Sequence, residues 1–333
     1  MKQTTKGYVP EKCINLNHFP HIEGYDFNEK FDFNKFLKSY SHTGFQASNL
    51  GKAMHIIKAM LREKATIFLA FTSNMVSSGV REVIRYLVEH KLVHVLITSA
   101  GGIEEDIIKS LNPFVLGSFD ANGKILFEKG VNRIGNIFVT NDRYTYFEKK
   151  MNKVLDGVYK EQKKRKRPLC SYEIIDIAGK SIDNKESILY WASRNKIPVF
   201  CPALTDGAFG DMIFFMKQRK SDFYVDISKD MQEIVNLTLN ARKTGLIILG
   251  GGVAKHYTLN AQIFREGCDF AVYVNTGQEY DGSDSGARTD EAVTWGKIKP
   301  KALQAKVSGD ATIIFPLIIA GLVNDLKGKK RKI

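Results

Sequence analysis

Residues 65–111 read ATIFLAFTSNMVSSGVREVIRYLVEHKLVHVLITSAGGIEEDIIKSL, and this stretch decides the fold. Its two short apolar runs, residues 65–71 and 93–98, have the length and composition of buried strands. Each run is followed by a segment with the spacing of an amphipathic helix, at 79–89 and 103–111. A strand–helix–strand–helix order at this spacing is typical of βαβ units, in which the strands run parallel.

The same alternation continues on both sides of this stretch. We expect helices at 50–61, 187–195, 231–244 and 252–264, a helix start at 211–216, and strands at 199–201, 223–225, 246–249 and 270–275. The pattern predicts a doubly wound, mainly parallel α/β sheet of Rossmann-like type with helices on both faces. Residues 1–48 are predicted to form a loop-rich N-terminal arm, and 49–333 a single domain with a basic tail. Residues 159–168 are the best candidate for a surface insertion.

The chain has 333 residues and a formal net charge of +13, and its positive charge is concentrated in two basic runs at 163–167 and 327–332. Such runs can be solvated or disordered, can target the nucleus or bind nucleic acid, or can steer an acidic protein partner. Cys13, Cys170, Cys201 and Cys268 are scattered, so we expect no metal site, no disulfide framework and a reducing compartment. No apolar run is long enough for a membrane span. We therefore expect a cytoplasmic protein that binds neither membrane nor nucleic acid.

Small and hydroxylic residues occupy four predicted strand ends, at 72–74, 99–102, 250–252 and 275–277. Ligands of open parallel sheets bind at the carboxyl ends of strands, where glycine lets the backbone approach a phosphate. Each segment alone could be only a tight turn between strand and helix. The four together favour a nucleotide site, although a Gly-x-Gly-x-x-Gly motif is absent from the first turn.

Residues 275–298 form an acid-rich segment without helical or strand periodicity. Its five acids precede a single lysine, Lys297, and are Glu279, Asp281, Asp284, Asp290 and Glu291. One interpretation is a solvated acidic loop. The other is a site for a small polycation, because carboxylates at fixed spacing attract and orient ammonium groups, with Lys297 as a nucleophilic amine.

Several blocks, in this order along the chain, closely resemble the deoxyhypusine synthase family. They are TSNMVSSG at 72–79, SAGGIEED at 99–106, PALTDGAFGDM at 202–212, GLIILGGGVAKH at 245–256, DGSDSGAR at 281–288 and EAVTWGK at 291–297. The resemblance implies that the chain oxidises spermidine with NAD and moves its aminobutyl group onto an enzyme lysine. The group then passes to one lysine of the translation initiation factor 5A precursor, and reduction by NADH gives deoxyhypusine.

The resemblance also implies which residues act. The catalytic residues would be Lys297 and His256. The spermidine site would consist of Glu104, Glu105, Asp211, Gly251, His256, Gly282, Ser283, Asp284, Glu291, Trp295 and Lys297. The NAD site would consist of Ser73, Asn74, Met75, Val76, Ser77, Ser99, Ala100, Gly101, Glu105, Asp206, Thr276, Gly277, Asp281, Asp310 and Ala311. Family members are homotetramers with active sites at a dimer interface. Ser99 and Gly277 depart from the threonine and alanine of relatives without changing the size class.

Two alternative functions stay open. A homospermidine synthase would give the same aminobutyl group to putrescine, and a regulatory paralogue would bind NAD without catalysis. The presence of Lys297 argues against the regulatory paralogue, because such subunits have lost the lysine. For catalysis the lysine must shed its proton, and a desolvated wall favours the neutral amine while nearby acids oppose it. We therefore expect Lys297 to point toward Trp295 and the cofactor, away from Glu291.

Overall fold

A computed structural model describes residues 14–330 of the chain, with side chains through residue 326. The strands are β1 Thr66–Phe71, β2 Val95–Thr98, β3 Val115–Leu116, β4 Val131–Ile134, β5 Ile137–Thr140, β6 Val199–Phe200, β7 Thr244–Leu249, β8 Cys268–Asn275 and β9 Ile298–Ser308. The helices are α1 Phe33–Thr43, α2 Phe45–Arg62, α3 Asn74–Ser77, α4 Val80–Glu89, α5 Ala100–Leu111, α6 Gly123–Glu128, α7 Asn141–Arg165, α8 Ser171–Lys180, α9 Ile188–Asn195, α10 Ala208–Arg219, α11 Ile227–Leu239, α12 Gly252–Ala261, α13 Thr289–Thr294 and α14 Ala311–Lys330, and a 3₁₀ turn covers Gln262–Arg265.

Six strands form one sheet in the order β6-β2-β1-β7-β8-β9. Every neighbouring pair in this sheet is parallel. From β1 the chain adds β2 and then β6 on one side. It then returns to the other side of β1 and adds β7, β8 and β9. This is the strand order of a dinucleotide-binding fold, and its topological switch point lies between β1 and β7. The prediction of a doubly wound, Rossmann-like sheet is confirmed.

Helices cover both faces of the sheet because alternate strand residues point to opposite sides. In β1, Ile67, Leu69 and Phe71 belong to one buried cluster, which contains the packed faces of α2, α4, α5 and α7. Phe68 and Ala70 belong to a second cluster, which contains residues of α11, α12 and α13. Central strands are therefore apolar on both sides, as the continuous run at 65–71 predicted.

Several local predictions were wrong. Residues 223–225 form no strand of the sheet, and Val225 makes only an isolated bridge to Leu169. Residues 159–165 end the long helix α7 instead of forming an insertion. The described part of the expected loop-rich arm, residues 14–48, contains α1 and the start of α2, and Leu37 of α1 is buried in the core, whereas residues 1–13 lie outside the described residues. A three-stranded antiparallel sheet of β3, β5 and β4 was not predicted.

The basic run at 163–167 is partly neutralised where α7 ends. Lys163 pairs with Asp222, and both Arg165 and Arg167 pair with Glu173. Hydrogen bonds from Arg167, with further hydrogen bonds from Cys170, lower the pKa of Glu173 to about 2. These contacts favour a structural role for much of this run. The side chains of the second basic run, at 327–332, lie outside the described residues.

Candidate active site

A cavity of about 320 Å³ opens at the topological switch point. Its wall is formed by the last residues of β8 and by residues that follow β1, β7, β8 and β9, namely Asn74, Met75, Gly250, Gly251, Val274, Asn275, Thr276, Gly277, Ser285, Asp310 and Ala311. Seven of the residues predicted for ligand binding, Asn74, Met75, Gly251, Thr276, Gly277, Asp310 and Ala311, are therefore brought together here. The position, at the carboxyl ends of parallel strands, is where this fold binds dinucleotides.

Glycines allow the backbone to come close to this cavity. Gly250 has φ +88°, a left-handed conformation that favours glycine, and a Cβ on Gly251 would lie 2.5 Å from the side chain of Ser285. At the end of β2, a Cβ on Gly101 would lie 2.9 Å from Ser73. Any larger residue at Gly251 or Gly101 would fill space beside the strand ends. Gly250, Gly251 and Gly277 also line the cavity without side chains, so the residues present fit the nucleotide that the sequence predicted.

Glu104 and Glu105 are buried near the start of α5, which begins at Ala100 after β2. Burial raises the pKa of Glu105 to about 7, although Ser77 donates a hydrogen bond to its carboxylate. Burial also raises the pKa of Glu104, which accepts a hydrogen bond from the backbone of Phe209 at 2.7 Å. Asp211 and Asp206 add to this rise by charge repulsion, so the four acids form one cluster.

Tyr144, at the start of α7, belongs to the same cluster. Its pKa is raised by burial and further by the charges of Glu105 and Glu104. Sequence reasoning missed this tyrosine because it lies more than thirty residues beyond the acids, after an unpredicted antiparallel sheet. No residue pattern around 144 marks it as part of a site.

Lys297 lies in a second cavity, of about 460 Å³, on the face of the sheet between α12 and α13. Predicted residues in its lining are His256, Gly282, Asp284, Glu291, Trp295 and Lys297. The Lys297 side chain is only 8% exposed. Its Nζ lies 3.5 Å from Nε2 of His256 and 5.8 Å from the centroid of the Trp295 ring. Trp295 itself is 67% exposed and forms the rim of this cavity.

Asp284 lines this second cavity and has one unsatisfied carboxylate oxygen. Its Oδ2 is buried and has no hydrogen-bond partner among the described residues. A buried carboxylate oxygen without a partner is costly, so it favours a ligand that donates a hydrogen bond. The neighbouring Asp281 is exposed, and hydrogen bonds from Ser283 lower its pKa. Lys255, which the sequence did not suggest, is fully buried in the same lining.

The two cavities share no lining residue. Lys297 immediately precedes β9 and Asp310 follows it. Ile298 pairs with Cys268 and Ser308 with Asn275, so the ends of β9 are as far apart as those of β8. At about 3.3 Å per residue, that distance is roughly 25 Å. This exceeds the reach of a lysine side chain, so Lys297 does not reach the residues at the carboxyl end of β9, although sequence neighbours line the two cavities: Tyr273 and Asp284 line one, Val274 and Ser285 the other.

Among the described residues, no helix is long and apolar enough to cross a membrane.

Comparison with known proteins gives the family. The model of the deoxyhypusine synthase family matches residues 35–322. The chain belongs to the deoxyhypusine synthase family. The resemblance found in the sequence motifs is confirmed, and the chain is a transferase of hypusine biosynthesis, as the family is.

Individual deoxyhypusine synthases agree with this assignment over most of their length. The enzyme of Arabidopsis thaliana is 48% identical over 326 residues, which cover 90% of this chain and 89% of the relative. That of Nicotiana tabacum is 48% identical over 334 residues, covering 90% and 88%. A crystal structure from Entamoeba histolytica, assigned as a deoxyhypusine synthase, has a TM-score of 0.66 and 32% identity, and covers 90% of this chain and 96% of that one.

Proposed function

We propose that this chain catalyses the NAD-dependent transfer of the 4-aminobutyl group of spermidine, through an imine with Lys297, to a lysine of the translation initiation factor 5A precursor. The observation that carries this proposal is a buried lysine amine, 3.5 Å from a histidine, in a cavity that also contains two carboxylates. An amine in such a pocket can capture a carbonyl-like carbon, and nearby carboxylates can hold the remaining ammonium groups.

The acids around Lys297 would bind the polyamine. Asp284 offers a buried carboxylate oxygen without a partner among the described residues, and Glu291 lines the same cavity. A substrate ammonium placed between them would satisfy Asp284 and gain charge-assisted hydrogen bonds. The exposed indole of Trp295 would cover the methylene groups. The path of the substrate would be bordered by Gly282, Ser283 and Gly251. Further carboxylates for the polyamine would come from the acid cluster, namely Asp211 and Glu104.

Lys297 and His256 would carry the proton movements. The Lys297 amine must be neutral to attack, and the His256 Nε2 at 3.5 Å is placed to accept the proton. The chemistry that NAD supplies when bound is reversible hydride acceptance. The residues that would hold it are those predicted at the strand ends. Glu105 and Asp206 would lie on the acidic side of the cofactor. The backbone at the strand ends would contact it through Ser73, Asn74, Gly101, Thr276, Gly277, Asp310 and Ala311. Burial of Lys297 also limits the water that could hydrolyse an imine.

A second copy of the chain would complete each site. Lys297 lies roughly 25 Å along β9 from Asp310, which lines the cavity at the switch point, and transfer requires contact between the amine and the oxidised substrate. We propose that the active site lies at a dimer interface, with Lys297 from one protomer and the cavity at the switch point from its partner, and that two dimers form a homotetramer. Buried free cysteines at 170, 201 and 268 support a reducing compartment such as the cytoplasm.

Adduct mapping tests the proposed reaction. The chain is incubated with NAD and labelled spermidine, trapped with borohydride and digested, and the labelled peptide is identified. We expect the label on Lys297 and its loss in Lys297→Ala, whereas Lys299→Ala, which removes a lysine that pairs with Asp269, should keep it. Absence of the adduct from the unmodified chain would favour a regulatory paralogue.

The acceptor is tested in a second step. Enzyme that carries the labelled aminobutyl group is mixed with either the translation initiation factor 5A precursor or putrescine. The distribution of label between the enzyme and the acceptor is then measured. We expect transfer to the protein, because the net charge of +13 on this chain would attract a generally acidic translation factor. Transfer to putrescine alone would show a homospermidine synthase.

A further inference from the structure

The acidic loop, residues 277–287, is closed at its base by direct contact between two stretches of backbone. A Cβ on Gly286 would lie 1.6 Å from the carbonyl oxygen of Gln278, and a Cβ on Gly277 would lie 3.1 Å from the backbone of Gly286. The two ends of the loop therefore touch, and only glycine fits between them. The loop carries Asp281 and Asp284 at fixed positions relative to this closed base.

Lys306 ties the base of the loop together. This lysine projects from β9, and its Nζ donates hydrogen bonds to the carbonyl oxygens of Gly277, at 3.0 Å, and of Gly286. One ammonium group thus joins both ends of the loop. Partial burial lowers the pKa of Lys306, and an ammonium group in such a place is stabilised by the carbonyls it contacts.

Lys255 holds the C-terminal part of the loop in the same way. Its side chain is buried in α12, and its Nζ donates to the carbonyl oxygens of Asp284 and, at 3.1 Å, of Ala287. It also lies 4.7 Å from the centroid of the Tyr273 ring. Burial lowers its pKa, while the nearby charge of Asp284 acts in the opposite direction.

Both lysines bond to carbonyl oxygens, and neither forms an ion pair with the loop carboxylates among the described residues. Bonding to carbonyl oxygens and not to carboxylates matters for the binding of a cation. A lysine paired with Asp284 would compete with a cationic substrate, whereas a lysine bonded to the carbonyl of Asp284 fixes the residue and leaves its carboxylate oxygen free. Fixing a binding group before the substrate arrives reduces the entropy lost on binding.

We propose that Lys306 and Lys255 are positioning residues that clamp the acidic loop, so that Asp284 is preorganised for an ammonium group of the polyamine. This inference rests on the proposed function for the identity of the ligand. The clamp itself is a property of the folded chain, and it can be measured without any substrate. Because Lys255 lines the lysine cavity, Lys306 is the residue that isolates the clamp.

Lys306→Met tests the clamp, with Lys299→Met as the matched control on the same strand. Lys299 bonds to Asp269 at the opposite end of β9, so its loss leaves the loop untouched. Without ligand, we expect amide hydrogen exchange in residues 278–286 to become roughly tenfold faster in Lys306→Met and to stay unchanged in the control. Lys306→Arg, which keeps several donors, should restore part of the protection. Equal exchange in Lys306→Met and Lys299→Met would overturn the clamp.

Steady-state kinetics then measure how loss of the clamp changes the KM for spermidine. We expect the KM for spermidine to rise roughly tenfold in Lys306→Met, with a smaller change in kcat. An unchanged KM would show that the loop does not position the substrate. The two proposals fail separately: an unmodified chain that forms no Lys297 adduct contradicts the proposed function, while the exchange measurement still decides the clamp.

Discussion

Glu105 illustrates how burial can set the working protonation state of a single residue. Its carboxyl group lies near the start of α5 and faces Glu104, Ser77, Lys109 and Tyr144. Burial raises its pKa to about 7, so the folded chain holds this proton more tightly than the unfolded chain, whose ordinary pKa is 4.5. This group therefore contributes stability at low pH that is lost as the pH rises from about 4.5 through 7.

The same titration should affect substrate binding, because only the carboxylate attracts a cation. We expect the KM for spermidine to increase as the pH falls below 7, approaching about tenfold per pH unit. Glu105→Gln cannot ionise and should flatten this part of the profile. The measurement is the pH dependence of kcat/KM for both proteins between pH 5.5 and 8.5, and an identical slope in the variant would show that another group titrates.

At the scale of elements, the sequence predicted those strands that are apolar on both faces. β1, β2 and β7 are fully or almost fully buried and have continuous apolar runs, so they were found to within a few residues. β9 was missed because its buried and exposed residues alternate irregularly and Pro300 lies within it. The antiparallel sheet was missed because β3 and β4 are largely exposed, which weakens the apolar pattern.

The site was predicted where contiguous motifs carried it and missed where tertiary structure assembles it. Asp284, Glu291, Trp295 and Lys297 fall within one acid-rich segment, so sequence placed them together. Tyr144 and Lys306 come from other elements, and only the folded chain brings Tyr144 to the acid cluster and the Lys306 ammonium to the acidic loop. Their residue types are common on protein surfaces, so no local pattern distinguishes them.

Two helical glycines allow a direct test of packing at the element scale. A Cβ on Gly210, in the first turn of α10, would lie 2.1 Å from the carbonyl oxygen of Thr205, whereas a Cβ on Gly157 of α7 would meet nothing within 4 Å. We expect Gly210→Ala to lower the free energy of unfolding by about 1–3 kcal/mol through overpacking. Gly157→Ala should raise it by about 0.5–1 kcal/mol, because alanine loses less entropy in a helix.

Urea unfolding of the two variants and the unmodified chain measures both changes. Gly210→Ala should also weaken the acid cluster, since Asp206 and Asp211 flank this turn. Equal stability of the two variants would mean that α10 can move away from Thr205 at no cost. The close approach of α10 to the preceding loop would then not be needed to hold the acids in place.

At the scale of the whole molecule, a single chain leaves several apolar side chains exposed. Phe214 and Phe215 of α10, Val253 of α12, Phe264 and Trp295 are all exposed. Several of these lie beside the candidate site: Asp211 is on α10 with the two phenylalanines, and Trp295 is on the rim of the lysine cavity. Apolar surface of this kind, next to the site proposed to be shared between protomers, favours burial against a second copy.

A shared site makes a quantitative prediction for mixed assemblies. Lys297→Ala removes the nucleophile, and Asp310→Ala removes a residue of the cavity at the switch point, at the other end of β9. If each site takes Lys297 from one protomer and Asp310 from its partner, a twofold dimer of the two variants contains one intact site and one site with both changes. Random co-assembly should then leave about one quarter of all sites intact, and an isolated mixed dimer should have about half of the unmodified activity, although each variant alone is inactive.

Co-expression of the two variants with different affinity tags, followed by purification through both tags, isolates the mixed assemblies for assay. The control is co-expression of Lys297→Ala with itself under the same tags, which should stay inactive because every site lacks its amine. A site contained within one chain gives the opposite result, since each protomer of the mixed assembly would carry one defect and no intact site could form. Activity in the mixed assembly therefore distinguishes the two architectures irrespective of how tightly the protomers associate.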